Sequence, residues 1–240
     1  MRHDWRDQAT AQRWDRSVHE NNPSRREQLD ILVSVLAGLW EPDGWLVDLG
    51  CGSGQVEALI FERLPEARVV GIDSSEAMLE IARQRLVGQQ RRFQIVTGDL
   101  GHLDGLELPP HPYRFAIAVQ SLHHLAPTDM RAAYRWVRER LEPGGAFFLL
   151  DRVGVENAAT LGLLQQVWQR QDRQLGSGVA QHEGATMAAH QRGLSERGDR
   201  PVLLQEHLAW LRDAGFDPVC LHMHGHRALI AGTKRPHGAG

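Results

Sequence analysis

Three observations predict a doubly wound α/β fold. Short runs apolar on both faces recur along the chain, each is followed by a segment of helical period, and the first run ends in a glycine-rich turn. A strand that is apolar on both faces is buried on both, so helices must cover the sheet above and below. Parallel pairing with right-handed crossovers follows. The 240 residues suffice for a single domain whose core needs no staples.

Residues 1–40 form an N-terminal helical segment. Within it Arg25 to Trp40 carries Leu29, Leu32, Val33, Leu36 and Trp40 at helical spacing, before Pro42 and Gly44 break the run. Trp45 to Leu49 is the first strand. After the glycine turn, Val56 to Leu64 repeats Leu59, Ile60 and Leu64 on one helical face up to Pro65. The unit then recurs: Arg68 to Ile72 is a β-branched strand, Ser75 to Val87 a helix capped by Ser74 or Ser75, and Phe93 to Thr97 the third strand. Arg114 to Gln120 is strand four. Asp129 to Leu141 is the next helix, ended by Glu142-Pro143-Gly144-Gly145, and Ala146 to Asp151 is strand five. Residues 152–200 break this rhythm with two helical patterns and polar joints, and are expected to form an inserted helical lid. Gln205 to Gly215 is a last helix closed by Gly215, and Pro218 to Met223 with Arg227 to Thr233 make a hairpin around Gly225.

Composition removes several function classes. Lys plus Arg is 27 and Asp plus Glu is 30, a net charge of −3, so no global basic field exists to hold nucleic acid nonspecifically. Cys51 and Cys220 are too few for a disulfide or zinc-ribbon framework. The start MRHDWRDQAT lacks the apolar run of a signal peptide, and the longest apolar stretches fall well short of the roughly 18 residues of a membrane span. A cytoplasmic protein without a membrane anchor is expected. A homodimer is compatible with the chain.

The stretch Asp48-Leu49-Gly50-Cys51-Gly52-Ser53-Gly54 closes a strand and opens a helix, and its glycines let backbone approach a ligand at the carboxyl edge of the sheet. A dinucleotide loop would place a glycine where Gln55 stands, and no Lys follows to make a phosphate loop. Asp48 is expected at the mouth, where its charge suits an amine or cation and opposes phosphates. Asp73 ends strand two, placed to accept both ribose hydroxyls of a nucleotide-like ligand. Asp99 ends strand three on the same edge, able to accept from an adenine amine.

These residues together resemble the class I S-adenosylmethionine-dependent methyltransferases, over about Gln28 to Asp151. The resemblance implies a seven-stranded, mostly parallel sheet whose last strand is antiparallel. It implies S-adenosylmethionine as cofactor, held by the loop residues Asp48, Gly50, Cys51, Gly52 and Gly54, by Asp73 with Ser74, by Met78 beside the adenine ring, and by Asp99 with Leu100. Gln120 and Ser121 are expected at the methionine end. Cys51 has no base spaced to activate it and is read as packing within the loop. The C-terminal part, with Asp199-Arg200-Pro201 and Trp210-Leu211-Arg212-Asp213-Ala214-Gly215-Phe216, looks like the small-molecule branch, and is similar in outline to the carboxy-S-adenosylmethionine synthase group. Gln120-Ser121-Leu122-His123-His124-Leu125 replaces the Asn-Pro-Pro-Tyr-like element of many amino-group methylases, which disfavours a nucleic acid substrate.

Transfer from a sulfonium is an in-line displacement, so positioning and exclusion of water supply most of the catalysis. If the acceptor is a hydroxyl, phenol or carbon acid, His123 or His124 is the candidate base. Trp14, His19, Arg25 and Arg26 precede the first core helix and are candidates for substrate contact. His222, His224 and His226 alternate as metal ligands would, but Gly225 interrupts them and no carboxylate joins them, so no metal is expected. The expected activity is methyl transfer to a small organic acceptor. Two alternatives stand beside it: a carboxy-S-adenosylmethionine synthase-like enzyme of tRNA wobble uridine modification, for which Arg192, Arg197 and Arg200 would line a basic lid pocket, and a non-catalytic cofactor-binding subunit.

Overall fold

The computed structural model describes residues 5–21, 24–155, 157–175 and 186–235. Two helices, α1 (Gln8–Asn21) and α2 (Arg25–Leu39), lead into β1 (Trp45–Leu49), α3 (Gln55–Arg63), β2 (Val69–Asp73), α4 (Glu76–Arg85), β3 (Phe93–Thr97) and β4 (Tyr113–Val119). A short 3-10 turn (Leu122–His124) precedes α5 (Pro127–Arg140) and β5 (Leu141–Arg152); then follow α6 (Ala158–Leu175), α7 (Met187–Arg197), α8 (Leu204–Asp213), β6 (Phe216–His224) and β7 (Arg227–Lys234).

The seven strands form one sheet in the order β3-β2-β1-β4-β5-β7-β6. β7 runs antiparallel to both neighbours, and every other pairing is parallel. Alternation along each strand divides the core into two layers. Ala116 and Ala118 of β4, Val47 and Leu49 of β1 and Phe147 and Leu149 of β5 face α5 and α8, packing on Tyr134, Val137 and Leu211. Phe115, Ile117 and Val119, Leu46, and Phe148 and Leu150 face α2, α3 and α4, packing on Leu32, Leu36, Ile60 and Leu79. A central strand with both faces buried gives the continuous apolar runs seen in the sequence.

Element boundaries fall within a few residues of those expected, with instructive exceptions. β5 starts at Leu141, yet its register jumps from Tyr113 opposite Leu141 to Phe115 opposite Ala146, so residues 142–145 still bulge out as a turn with Gly144 at φ 76°. The cap of α4 is Ser75, whose hydroxyl accepts from the Met78 N–H. Among the described residues of 152–200, helices α6 and α7 are present, as the helical patterns there predict, and an isolated bridge joins Gly154 to Leu203. The row of three histidines does not form: β6 ends at His224, and His226 lies past the turn, buried, with its Nε2 3.0 Å from His190 Nε2 of α7.

Candidate active site

β1 and β4 are neighbours, and the chain leaves them toward opposite edges of the sheet, to β2 and to β5. Such a switch point leaves a crevice beyond the carboxyl ends of the strands. A cavity of about 1090 Å³ opens there, between the strand ends, α1 and the end of α7.

The floor is the glycine loop. Gly50 has φ +88°, and a Cβ on it would stand 2.4 Å from the Ser121 Cβ, so only glycine lets the turns after β1 and β4 meet. A Cβ on Gly52, at φ +54°, would meet nothing within 4 Å. The Gly52 N–H donates to Asp73 Oδ2 at 2.9 Å, and Asp73 Oδ1 accepts from the Ser75 N–H at 2.8 Å. Burial raises the Asp73 carboxyl above its ordinary range, against the N–H groups of Ser75 and Gly52, which favour its ionised form. Gly50, Cys51, Gly52, Asp73, Ser74, Met78, Asp99, Leu100 and Gln120 all line the cavity. Asp99 is exposed and accepts from the Gly101 N–H at 2.9 Å, the contact that does most to hold its carboxyl below the usual range.

Two residues of the expected set are not in the lining. Gly54, at φ +75°, packs the loop against α4, where a Cβ would press on Leu86 and Ala82. Asp48 is 1% exposed and lies behind the loop, facing Glu57 of α3 and Arg25 of α2. Burial first, and Glu57 second, push its carboxyl well above the ordinary range, and burial raises Glu57 too. Because Asp48 is buried behind the loop and does not line the cavity, the negative charge expected at the cavity mouth is not delivered there. Cys51 also differs from a nucleophile: burial pushes its thiol well up.

Gln120 occupies the left-handed region at φ 55°, strain of about 1–3 kcal/mol that surrounding structure must hold. Its N–H donates to the Leu150 carbonyl at 2.8 Å, while its Nε2 is buried without a hydrogen-bond partner. An orphaned amide donor lining a cavity costs free energy that a ligand carboxylate would recover. With the open face of Gly52 beside Asp73, it fits a nucleoside carrying an amino-acid tail.

At the reacting end, His123 is 4% exposed and its Nδ1 lies 2.5 Å from Asp151 Oδ1. Asp151 Oδ2 accepts from the N–H groups of Leu122 and His123, both at 3.1 Å. Burial disfavours the imidazolium and lowers His123, although Asp151 opposes this. Burial would raise Asp151, but His123 and the Arg152 N–H outweigh it and hold the carboxyl below its usual range. The pair is therefore a neutral imidazole donating from Nδ1 to a carboxylate, with the lone pair on Nε2. Asp199, just past α7, lies 3.1 Å from His124 Nδ1 and 3.9 Å from His123 Nε2, and takes Arg152 at 2.8 Å. These partners hold its carboxyl down, at about 2, despite burial.

The N-terminal segment forms the outer wall. Asp15 of α1 accepts from Ser53 Oγ at 2.5 Å, Gln55 Nε2 at 2.7 Å and Arg85 Nη2 at 2.8 Å, clamping α1 over the glycine loop. The Ser75 hydroxyl donates to the Trp5 carbonyl, and Trp5, Trp14 and Arg25 line the cavity. Arg26 does not line it, and the side chain of His19 lies outside the described residues. Asp151, Asp15 and Trp5 were not singled out in the sequence, and Asp199 stood only in a stretch of family likeness, without a role at the site. Asp151 carried a usable signal, an acid at the carboxyl end of a strand like Asp73 and Asp99; Asp15 and Trp5 carried none.

Residues 46–145 match a family model described as a methyltransferase domain. The chain is 30% identical over 200 residues to the carboxy-S-adenosyl-L-methionine synthase of Pseudomonas putida (strain W619), an alignment covering 82% of this chain and 77% of the relative. The synthase of Pseudomonas aeruginosa (strain UCBPP-PA14) is 28% identical over 200 residues, covering 82% and 78%. Among solved structures, the CurJ carbon methyltransferase superposes with a TM-score of 0.65 at 17% identity, covering 97% of this chain and 59% of that one. Human N-acetylserotonin methyltransferase, in complex with S-adenosylmethionine, gives 0.62 at 13% identity, covering 97% and 58%. The strand order, the glycine loop with its facing acid and these likenesses agree: the chain belongs to the class I S-adenosylmethionine-dependent methyltransferase family, as an enzyme whose cofactor is S-adenosylmethionine.

Proposed function

We propose that this enzyme transfers the methyl group to a small organic acceptor with a dissociable proton, and that His123 takes that proton. The observation that carries the reading is the buried Asp151–His123 pair, whose Nδ1 contact at 2.5 Å leaves the Nε2 lone pair on a residue lining the cavity. Asp73, Ser74, Met78, Asp99 and Leu100 hold the nucleoside, and Gln120 Nε2 takes the carboxylate of the amino-acid tail. Bound S-adenosylmethionine supplies an electrophilic methyl group on a sulfonium. Trp5, Trp14, Leu125 and Val119 exclude water from the reacting end. Asp151 fixes the His123 tautomer and favours the imidazolium that forms. The same reading places enzyme and acceptor in the cytoplasm, with the stretch around Arg197 to Arg200 acting as the lid edge against the acceptor.

Incubation with cofactor carrying a tritiated methyl group and a cell extract, split into a small-molecule filtrate and macromolecular fractions, tests this. Label in the filtrate, lost with His123→Ala, is expected. Label in RNA or protein overturns it.

A second reading, a carboxy-S-adenosylmethionine synthase-like reaction, is favoured by one observation. Arg197 and Arg200 line the cavity, and among the described residues no carboxylate lies within ion-pair distance of either. Arg192 of the same stretch does not line it. Mass spectrometry of the ligand that co-purifies decides: a species heavier by a carboxyl group supports the synthase.

A further inference from the structure

His123, His124 and Asp199 bring three donors of metal-ligating type together, with one ligand atom from each within 4.8 Å of the others. Asp199 Oδ1 is the common vertex, 3.1 Å from His124 Nδ1 and 3.9 Å from His123 Nε2. Two ligands about 2.1 Å from a shared ion at a tetrahedral angle stand roughly 3.4 Å apart, so the two separations from Asp199 Oδ1 bracket what an ion needs, and the third lies within 4.8 Å. The outer contacts are also those of a built site. Asp151 accepts from His123 Nδ1 at 2.5 Å, which leaves Nε2 as the lone-pair donor, and Arg152 Nη1 takes Asp199 Oδ2 at 2.8 Å, which leaves Oδ1 toward the histidines. Histidine ligands characteristically have their second nitrogen held by a carboxylate in this way. The charges in direct contact with these residues, Asp151, Asp199 and Arg152, sum to one negative charge, favourable to a cation, while Arg197 and Arg200 on the same cavity wall oppose it.

We propose that His123 Nε2, His124 and Asp199 Oδ1 bind a divalent transition ion of the zinc class, with its open coordination positions facing the cavity. Two imidazoles and one carboxylate suit zinc or cobalt better than magnesium or calcium, which take oxygen ligands. All three residues line the cavity, so an ion there reaches solvent and cofactor pocket alike. Occupancy uses the lone pair that otherwise takes the acceptor's proton. The ion therefore blocks the base, a consequence that rests on the role of His123 proposed above, whereas the site itself does not.

Titration of the full-length protein with cobalt(II), followed by ligand-field absorption in the visible, tests the site without any acceptor. One ion per chain with the intense bands of a low-coordinate nitrogen–oxygen site is expected, displaced by zinc. His124→Ala should weaken binding at least tenfold, and His222→Ala, on β6, should leave it unchanged. S-adenosylhomocysteine binding, measured on the same samples, shows that each variant is folded and tests the cofactor reading separately. Only the weak spectrum of the hydrated ion, or binding that survives His124→Ala and disappears with His222→Ala, overturns the proposal.

Discussion

At the scale of single residues, Gly50 and Asp151 carry the sharpest consequences. A Cβ at Gly50 would stand 2.4 Å from the Ser121 Cβ, on a backbone at φ +88° that side chains avoid. Gly50→Ala therefore costs at least about 2 kcal/mol, through both the overlap and the strain, and chemical denaturation should show the midpoint shifted down with an unchanged slope. Asp151→Asn keeps the shape of the pair but removes the charge that selects the His123 tautomer. With an acceptor identified by label transfer, kcat should fall about 100- to 10,000-fold while KM changes little. A loss confined to KM would assign Asp151 to substrate binding instead.

At the scale of elements, α1 is held over the glycine loop by polar contacts more than by a deep core. Ala11 packs on Ala77 and Met78 of α4, and Asp15 gathers Ser53, Gln55 and Arg85. Burial raises the Asp15 carboxyl, but Arg85, Ser53 and Gln55 outweigh it and keep it ionised. Asp15→Ala removes the charge on which all three donors converge, about 2 kcal/mol at this partly buried position. Amide hydrogen exchange across residues 8–21 should accelerate while β1 stays protected, and S-adenosylhomocysteine should bind more weakly. Equal acceleration of both regions would mean that α1 does not open on its own.

At the scale of the whole molecule, buried imidazoles tie stability to pH. His207 is 1% exposed, with Nδ1 2.6 Å from the Tyr134 hydroxyl between α8 and α5. Burial lowers it to about 4, although Asp151 and Glu206 oppose the shift. Its folded value lies below its unfolded one, so unfolded chains bind the extra proton between about pH 6.5 and pH 4. The stabilisation is complete above about pH 6.5 and is lost as pH falls through about 4, at most about 3 kcal/mol. Urea unfolding from pH 7 to pH 4 should show this decline, and His207→Gln should make it shallower, with the buried His123 and His226 supplying the remainder. An unchanged slope in the variant would place the proton uptake elsewhere.

Local pattern was enough for the sheet, its helices, the acid that ends β2 and the acid just past β3. A doubly buried strand must be apolar throughout, and an acid at the carboxyl edge of such a strand is visible in one dimension. The three positive-φ glycines of the loop were equally legible, because no other residue tolerates those turns so well. What the fold alone decided concerns partners distant in the chain. Asp48 sits in the same motif as Gly50, yet packing against Glu57 and Arg25 turns it away from the cavity. His123 and His124 were candidate bases in the sequence, but their partners, Asp151 and Asp199, lie across separations that no spacing rule spans. Charge and lone-pair direction are set by contacts in three dimensions, and in this protein β5, α1 and the end of α7 supply them.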